Sequence, residues 1–302
     1  MKKLIYIFWV VTILCPSLTY SQWLRPDDPE DSRRNNQQGQ RNFMYLDSFN
    51  PVFMIDKPTA NTLTIITNER QNRYNKYFHV NMRVYNNGGM LAGIDVGLTR
   101  ALMIGVKFGG QNLIGTGEVL WNEAPGVNMK FKVLKETAAG LSPALSIGYD
   151  TQGYGGFNQE DNRYQIKSPG FYIVASKNNL LTQTTSRNFT ALNLGFHGGA
   201  NFSPENGDKK NELNLFFGAH LVLERELALV WEYDTAMNDK TESRYGSGGG
   251  YMNVAVRWMF LNQFFLEFAL KDITKNTLDE NGDKVQYSNR ELKIVYRRSL
   301  TE

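Results

Sequence analysis

Apolar and polar residues alternate along most of this chain with a repeat of two. Between residues 211 and 234 the alternation runs through two segments that a Glu-Arg pair separates. Leu213 and Leu215 take every second place in the first segment, and Leu227 and Leu229 do so in the second. Successive side chains of a strand point to opposite faces, so this pattern predicts two strands joined by a tight turn.

Twelve such runs follow one another. Most are about 8 to 12 residues long, which suits a tilted membrane-spanning strand and exceeds the usual strand of a soluble protein. No segment shows helical periodicity in its apolar residues. The twelve predicted strands cover residues 77–86, 90–98, 101–109, 127–135, 143–150, 170–177, 191–202, 212–222, 226–234, 251–259, 264–272 and 290–298.

One face of the predicted strands carries no charge, with residues such as Val80, Ile94, Val106 and Met129. A charge on a lipid face near the bilayer middle would cost about 2–4 kcal/mol, so lipid contact explains the pattern. The core of a soluble β-sandwich would exclude charge as well. The faces alone therefore leave both architectures open.

The sixth predicted strand admits two phases. Its apolar face holds either Tyr172 and Val174 or Phe171 and Ile173. Both pairs fit the alternation, and the pattern leaves the choice open.

The opposite face collects charged residues, histidines and glycines. Arg257 can form an ion pair with Glu267 or Glu232 on neighbouring strands. Such pairs favour a structural network that satisfies buried charge. A narrow pore with a weak preference for anions is the alternative. The residues predicted to line the interior are Arg83, Asp95, Lys107, Lys130, Lys132, Asp150, His197, His220, Glu232, Asp234, Arg257, Glu267, Lys271, Lys293 and Arg297.

The connections between the strands favour the membrane. Four of the five even-numbered connections are short, and four of the six odd-numbered ones are long, as in outer-membrane barrels. A short NNGG connection and a 13-residue one at 178–190 do not fit this rule. Aromatic residues near strand ends predict two girdles at the membrane interfaces. They are Tyr149, Trp231, Tyr233, Tyr251, Trp258, Phe260 and Phe264.

The N-terminal part differs in composition from the rest. Lys2 and Lys3 precede a short apolar stretch and a small-residue end, which predicts a signal peptide over residues 1–21. Residues 22–74 are expected to form a flexible segment that is periplasmic or plugs the lumen, and residues 75–302 the barrel.

Composition excludes several classes of protein. The chain has 302 residues, 41% of them hydrophobic, with a formal net charge of +3, which gives no indication of nucleic-acid binding. Its one cysteine, Cys15, lies in the predicted signal peptide, so we expect no disulfide and no cysteine-metal site. No run of about 18 apolar residues predicts a membrane-spanning helix in the body of the chain.

Six sequence runs resemble the YjbH-type outer-membrane β-barrel proteins. The resemblance covers roughly residues 52–297 and implies an outer-membrane barrel in a family linked to exopolysaccharide production or export. The runs are IDKPTANTL (55–63), NNGGMLAGIDVGLTRALMIGVKFGGQNLIG (86–115), PGVNMKFKVL (125–134), GYDTQGYG (148–155), YQIKSPGFYIVASKN (164–178) and ELKIVY (291–296).

Catalysis is not expected. His197 and His220 share the inner face, but no serine stands at the sequence spacing that a serine-histidine pair would need. We therefore predict that the chain is not an enzyme and uses no metal or cofactor. A membrane-embedded hydrolase that depends on these histidines stays open as an alternative.

The predicted fold is all-β: a single closed antiparallel up-and-down transmembrane β-barrel of about 12 strands in the outer membrane. The expected function is a narrow conduit or a structural scaffold, linked by the resemblance to exopolysaccharide. The expected partners are the lipid bilayer, the barrel assembly machinery, and a polysaccharide or an export system, but no nucleic acid. A secreted soluble β-sandwich that binds a ligand is the other alternative.

Overall fold

The structure, a computed structural model, describes most of the chain beyond residue 50. The described residues are 51–63, 65–68, 73–75, 77–136, 142–182, 192–205, 207–208, 212–223, 226–239, 245–260, 263–279, 282–285 and 289–299. The predicted signal peptide, with Cys15, lies outside these residues. So do residues 22–50 of the predicted N-terminal segment, and the division of the chain at residue 75 stays a prediction.

Seventeen strands and one short 3-10 helix (Met237–Asp239) form the described fold. The strands are β1 (Ile65–Asn68), β2 (Arg73–Asn75), β3 (Tyr77–Tyr85), β4 (Gly89–Gly97), β5 (Leu102–Gln111), β6 (Leu120–Trp121), β7 (Gly126–Leu134), β8 (Ala144–Asp150), β9 (Tyr154–Asn158), β10 (Arg163–Ile166), β11 (Gly170–Thr182), β12 (Leu192–Phe202), β13 (Asn214–Leu223), β14 (Leu227–Asp234), β15 (Tyr251–Phe260), β16 (Phe264–Lys271) and β17 (Asn289–Ser299).

Twelve of these strands close into one ring. Each pairs antiparallel with its neighbours in the order β3, β4, β5, β7, β8, β11, β12, β13, β14, β15, β16 and β17. The last strand then pairs with the first, with Ile294 opposite Met82. The predicted closed up-and-down barrel of twelve strands is confirmed, and β11 is longer than its predicted counterpart. The five remaining strands are short and are not part of the ring: β1 pairs with β2, β9 with β10, and β6 with β5.

The predicted apolar face points outward. Val106 and Met129 are 48% and 49% exposed, as residues facing lipid would be. A single ring has no second sheet to cover them, so the soluble β-sandwich is wrong. In β11 the outward side chains are those of Phe171 and Ile173, which resolves the open phase.

One predicted girdle residue is placed differently. Tyr251 is buried inside the barrel, where its hydroxyl hydrogen-bonds to Asp239. It opens β15 opposite Asp234, an inward residue, and therefore shares the inward phase. Trp231 and Trp258 do point outward, at 40% and 47% exposure.

The backbone conformation explains why the NNGG connection is short. Asn87 and Gly88 both have a φ of 59°, the left-handed region that a type I′ hairpin turn requires. The N–H of Gly89 donates to the carbonyl of Asn86 to close this turn. The 13-residue connection is shorter than predicted because β11 extends to Thr182. Its remaining residues, 183–191, lie outside the described part of the chain.

Residues 51–63 lie inside the ring, and we call them the inner segment. A bridge between Phe53 and Pro58 and a hydrogen bond from the N–H of Met54 to the carbonyl of Lys57 fold the segment into a tight turn. Met54 and Ile55 join the barrel's inner apolar cluster, which also contains Phe216. The interior is therefore a packed core around a folded peptide.

Candidate functional site: the lumen and its inner segment

A single carboxylate holds the turn of the inner segment. One oxygen of Glu232, on β14, accepts hydrogen bonds from the backbone N–H groups of Ile55, Asp56 and Lys57, at 3.2, 3.0 and 2.7 Å. The other oxygen accepts from the side-chain amide of Asn253 on β15. Successive N–H groups that converge on one oxygen form an anion-binding nest. Here the barrel wall supplies the anion and the segment supplies the nest.

Cations of the wall hold the carbonyl groups of the same segment. Arg257 donates to the carbonyl of Met54 at 2.9 Å, and Lys293 to that of Ile55 at 3.0 Å. Across the barrel, the ammonium of Lys130 donates to the carbonyls of Val52 and Asn61. Backbone polar groups buried away from water need partners, and the wall provides them from several strands.

Ion pairs complete the attachment. Asp56 lies 2.5 Å from both Arg83 on β3 and Lys271 on β16. Lys57 pairs with Asp234 on β14. Breaking one partner of such a buried pair leaves an uncompensated charge, which costs about 3–5 kcal/mol. The inner segment is thus tied by charge to several parts of the ring.

Two serines and two histidines form a fourth contact. Ser176 accepts the N–H of Ala60 at 2.8 Å, and Ser146 donates to the carbonyl of Ala60 at 2.7 Å. Ser176 also lies 2.8 Å from Nδ1 of His197, whose Nε2 lies 2.9 Å from Nδ1 of His220. The expectation that no serine stands at a spacing suited to a serine-histidine pair is therefore wrong. Ser176 stands directly opposite His197 across β11 and β12, a contact between strands that spacing along the chain does not reveal.

A serine beside a histidine raises the hydrolase alternative again. Ser176, however, is 1% exposed, and its hydroxyl is already bonded to the inner segment. A nucleophile needs an open position beside it for the reacting atom of a substrate. The arrangement therefore serves to anchor Ala60, and the absence of catalysis stays a prediction.

The fifteen predicted interior residues all lie within the described part of the chain. Eight contact the inner segment directly: Arg83, Lys107, Lys130, Glu232, Asp234, Arg257, Lys271 and Lys293. Six others bind neighbouring side chains or stack on them: Asp95, Asp150, His197, His220, Glu267 and Arg297. Lys132 is half-buried near one end of β7. The structure thus divides the prediction into residues that anchor the segment and residues that brace the wall.

Sequence reasoning missed three charges at this site. Glu291 is buried between Arg83 and Lys271, and the alternation along β17 could have revealed it. Asp56 and Lys57 belong to the inner segment, which has no periodicity that predicts contact with the wall.

A hairpin covers the lumen at the end with the long connections. The β9–β10 hairpin brings Tyr154 under the Lys271 ammonium, 3.0 Å from the ring centroid, and against Tyr85 at 5.3 Å. Arg163 of this hairpin is fully buried and donates to both oxygens of Asp239, at 2.7 and 3.1 Å. The connections on this side are therefore tied to one another as well as to the wall.

Buried carboxyl groups in these connections carry shifted pKa values. Burial raises the pKa of Glu205 above its ordinary value, although the N–H groups of Tyr164 and Ser168 donate to it. Burial likewise raises the pKa of Asp239, against the opposing effect of Arg163. Desolvation outweighs the favourable partners in both cases.

The space left in the lumen is small. A cavity of about 90 Å³ lies between the inner segment and the wall, bordered by Asp56, His79, Lys293 and Arg297. It has room for a few water molecules. No group of three or more His, Cys, Asp or Glu side chains in the described ranges is arranged to hold a metal ion.

Closed strand pairing and an outward apolar face define a transmembrane β-barrel, because lipid tolerates no unpaired strand edge. No helix among the described residues is long and apolar enough to cross a membrane. Closed barrels of antiparallel strands with unequal connections belong to outer membranes, and this chain is an outer-membrane β-barrel protein.

Comparison with known proteins gives likenesses of fold. No family model and no curated protein matches the sequence. The chain is similar to the NanC porin (8% identity, TM-score 0.42, covering 72% of this chain and 98% of that one). It is also similar to the KdgM porin (7% identity, TM-score 0.41, covering 73% of this chain and 98% of that one). A third similar structure is the outer membrane protein Omp33 of Acinetobacter baumannii (7% identity, TM-score 0.42, covering 74% of this chain and 98% of that one).

Proposed function

We propose that this protein is a conduit of the outer membrane that its own inner segment keeps closed. The observation that carries the proposal is the Glu232 carboxylate at the centre of three backbone N–H groups. A lumen built only for rigidity needs no peptide at its centre, because charged pairs on neighbouring strands brace a wall by themselves. Besides its apolar contacts in the packed core, the inner segment is held by many polar contacts, which water can replace when the segment moves.

The second part of the proposal concerns cargo. The resemblance of IDKPTANTL (55–63) and five other runs to YjbH-type proteins supports a role in producing or exporting a surface polysaccharide. The first of these runs covers most of the inner segment. Loss of surface polysaccharide from cells that lack the chain, restored by returning it, would support this part.

Conductance in planar bilayers tests the closed conduit. We expect the full chain to pass little current and Glu232→Gln to show discrete openings. Ala60→Cys combined with Ser176→Cys in that variant should close it again, since Ala60 lies against Ser176. A reducing agent should then restore the openings, and Ala60→Cys alone serves as the control.

Two results would contradict the proposal in different ways. A large steady current through the unaltered chain would show that the inner segment does not close the lumen. Glu232→Gln without current, although its inner segment has become accessible to reagents, would favour a structural scaffold.

A further inference from the structure

Charge is unevenly distributed around the lumen. Four consecutive strands, β15, β16, β17 and β3, direct five cations inward, which we call the basic wall: Arg83, Arg257, Lys271, Lys293 and Arg297. Only two inward carboxylates, Glu267 and Glu291, stand on the same strands in the described ranges. The basic wall therefore has an excess of cations that its own strands do not neutralise.

The inner segment supplies the missing acceptors. Arg257 donates to the carbonyl oxygens of Phe53 and Met54, at 3.4 and 2.9 Å. Lys293 and Arg83 both donate to the carbonyl oxygen of Ile55, at 3.0 and 3.1 Å. These three carbonyl oxygens are followed along the segment by the carboxylate of Asp56, which pairs with Arg83 and Lys271. The segment thus presents a row of neutral oxygens and then one carboxylate.

Toward β14 the same stretch presents donors instead. Glu232 accepts three N–H groups there, and Asp234 accepts the ammonium of Lys57. An occupant of this lumen must therefore accept hydrogen bonds along the basic wall and donate them toward β14. A polymer of carboxylates alone would be repelled by Glu232 and Asp234.

We propose that the basic wall binds a carboxylated polysaccharide, and that residues 53–56 occupy its place in the closed barrel as an internal mimic. Sugar rings supply neutral oxygens and intermittent carboxylates to the basic wall, and their hydroxyl groups donate to Glu232 and Asp234. The inner segment is folded as a turn, so two stretches of peptide lie side by side in the lumen. When the segment leaves, the space of both stretches becomes free, which is wide enough for one sugar chain. The inference rests on the proposed function, whose cargo it specifies.

Equilibrium binding to the full chain in detergent micelles tests this assignment without requiring current. The probe is a fluorescently labelled hexameric polyuronate, compared with a neutral glucose hexamer and with hexaglutamate at equal length and salt. We expect Glu232→Gln to bind the polyuronate more tightly than the unaltered chain, because the mimic is released more easily. The Gln side chain keeps an acceptor for sugar hydroxyl groups.

Charge variants in the Glu232→Gln chain locate the binding. Lys293→Gln should weaken polyuronate binding by about tenfold, the usual effect of losing one hydrogen bond to a charged group. Arg290→Gln, which removes an exposed charge from the same strand, is the matched control. Arg297→Gln provides a second test if the Lys293 variant fails to fold, as judged by heat-modifiable migration on a gel.

Equal binding of the neutral hexamer would overturn the inference, and so would tighter binding of hexaglutamate. The inference would also be overturned if Arg290→Gln weakened polyuronate binding as much as Lys293→Gln does. Charge-dependent binding without conductance would uphold the inference and refute the conduit. Conductance without polyuronate binding would uphold the conduit and refute the inference.

Discussion

The Glu232 carboxylate lies 2.7 Å from the backbone nitrogen of Lys57, a residue 175 positions earlier in the chain. This contact joins the inner segment to β14 and closes the nest that also includes the N–H groups of Ile55 and Asp56. The carboxylate is fully buried, and these three donors together with Asn253 satisfy its oxygen atoms. Among the wall residues that hold the segment, Glu232 is the one whose carboxylate accepts three of its backbone N–H groups.

Glu232→Gln is expected to loosen the inner segment while leaving the ring closed. Replacing a charged acceptor by a neutral one costs about 2 kcal/mol, so the segment should open roughly thirtyfold more often. The measurement is the labelling rate of a Thr59→Cys thiol, a position that is buried in the closed form. Glu123→Gln, at an exposed loop position, is the control and should not change the rate. Equal rates in the two variants would refute the role of Glu232.

Gly218→Ala should disturb the same segment by crowding. A Cβ at Gly218 would lie 1.8 Å from the sulfur of Met54 and 2.9 Å from the backbone oxygen of Trp231, so the Met54 side chain must leave its place against the wall. Overpacking of this kind costs about 1–3 kcal/mol. Adding Met54→Ala should return the labelling rate of the Thr59→Cys thiol toward that of the Met54→Ala chain alone.

Gly198→Ala is the matched control, because its Cβ would meet Phe217 at an ordinary 3.5 Å. If the Gly198 variant accelerates labelling as much as the Gly218 variant does, the contact with Met54 is not the cause.

The barrel was predictable from sequence because a strand repeats every two residues, so each side chain reports its own face. The apolar Val106 and the charged Lys107, for example, are assigned to opposite faces of one strand from their polarity alone. Contacts between strands distant in the chain are not encoded in this way. Ser176 meets His197 only through the register of β11 with β12, and the sequence pattern did not even settle the phase of β11.

The inner segment was the least predictable part. It has no repeat, and its partners lie on strands far along the chain, from Arg83 to Lys293. Its place was foreseen only as one of two possibilities for residues 22–74. The signal that could have helped is the surplus of inward cations near the C-terminus, which requires acceptors from elsewhere.

Met129→Arg should destabilise the barrel in lipid. Met129 lies near the middle of β7 and points outward. An arginine at the bilayer midplane costs about 2–4 kcal/mol, whereas one near the interface costs about 0–1 kcal/mol. Urea unfolding in phospholipid vesicles measures the difference, with Val119→Arg in an exposed connection as the control. Equal stability of the two variants would mean that Met129 does not face lipid.

Arg163→Lys should loosen the hairpin over the lumen without weakening the ring. Arg163 donates to both oxygens of Asp239 and lies 3.8 Å from the ring centroid of Tyr245. Lysine keeps the positive charge but loses the bidentate hydrogen bond to Asp239 and the stacking on Tyr245. Hydrogen exchange of residues 154–166 should become faster, and urea unfolding of the barrel should stay the same. A parallel loss of barrel stability would show that the hairpin and the ring unfold as one unit.

Acidification should tighten the same hairpin. Burial raises the pKa of Glu205 above its ordinary value of 4.5, so the folded state favours the protonated acid. The protonated Glu205 stabilises the hairpin most at a pH below the pKa that this group has in the unfolded chain. This stabilisation is lost as the pH rises through the pKa of Glu205 in the folded chain. Asp239, whose pKa burial also raises, acts in the same direction.

Protection of residues 154–166 against proteolysis should therefore be stronger near the ordinary glutamate pKa of 4.5 than at neutral pH. Glu205→Gln carries no titrating proton at this position and should flatten the dependence, leaving the part due to Asp239. Glu160→Gln, exposed in the same hairpin, should leave it unchanged and controls for the general effect of charge. Weaker protection at the lower pH would mean that the hydrogen bonds from Tyr164 and Ser168 outweigh burial, the reverse of the balance that the structure indicates.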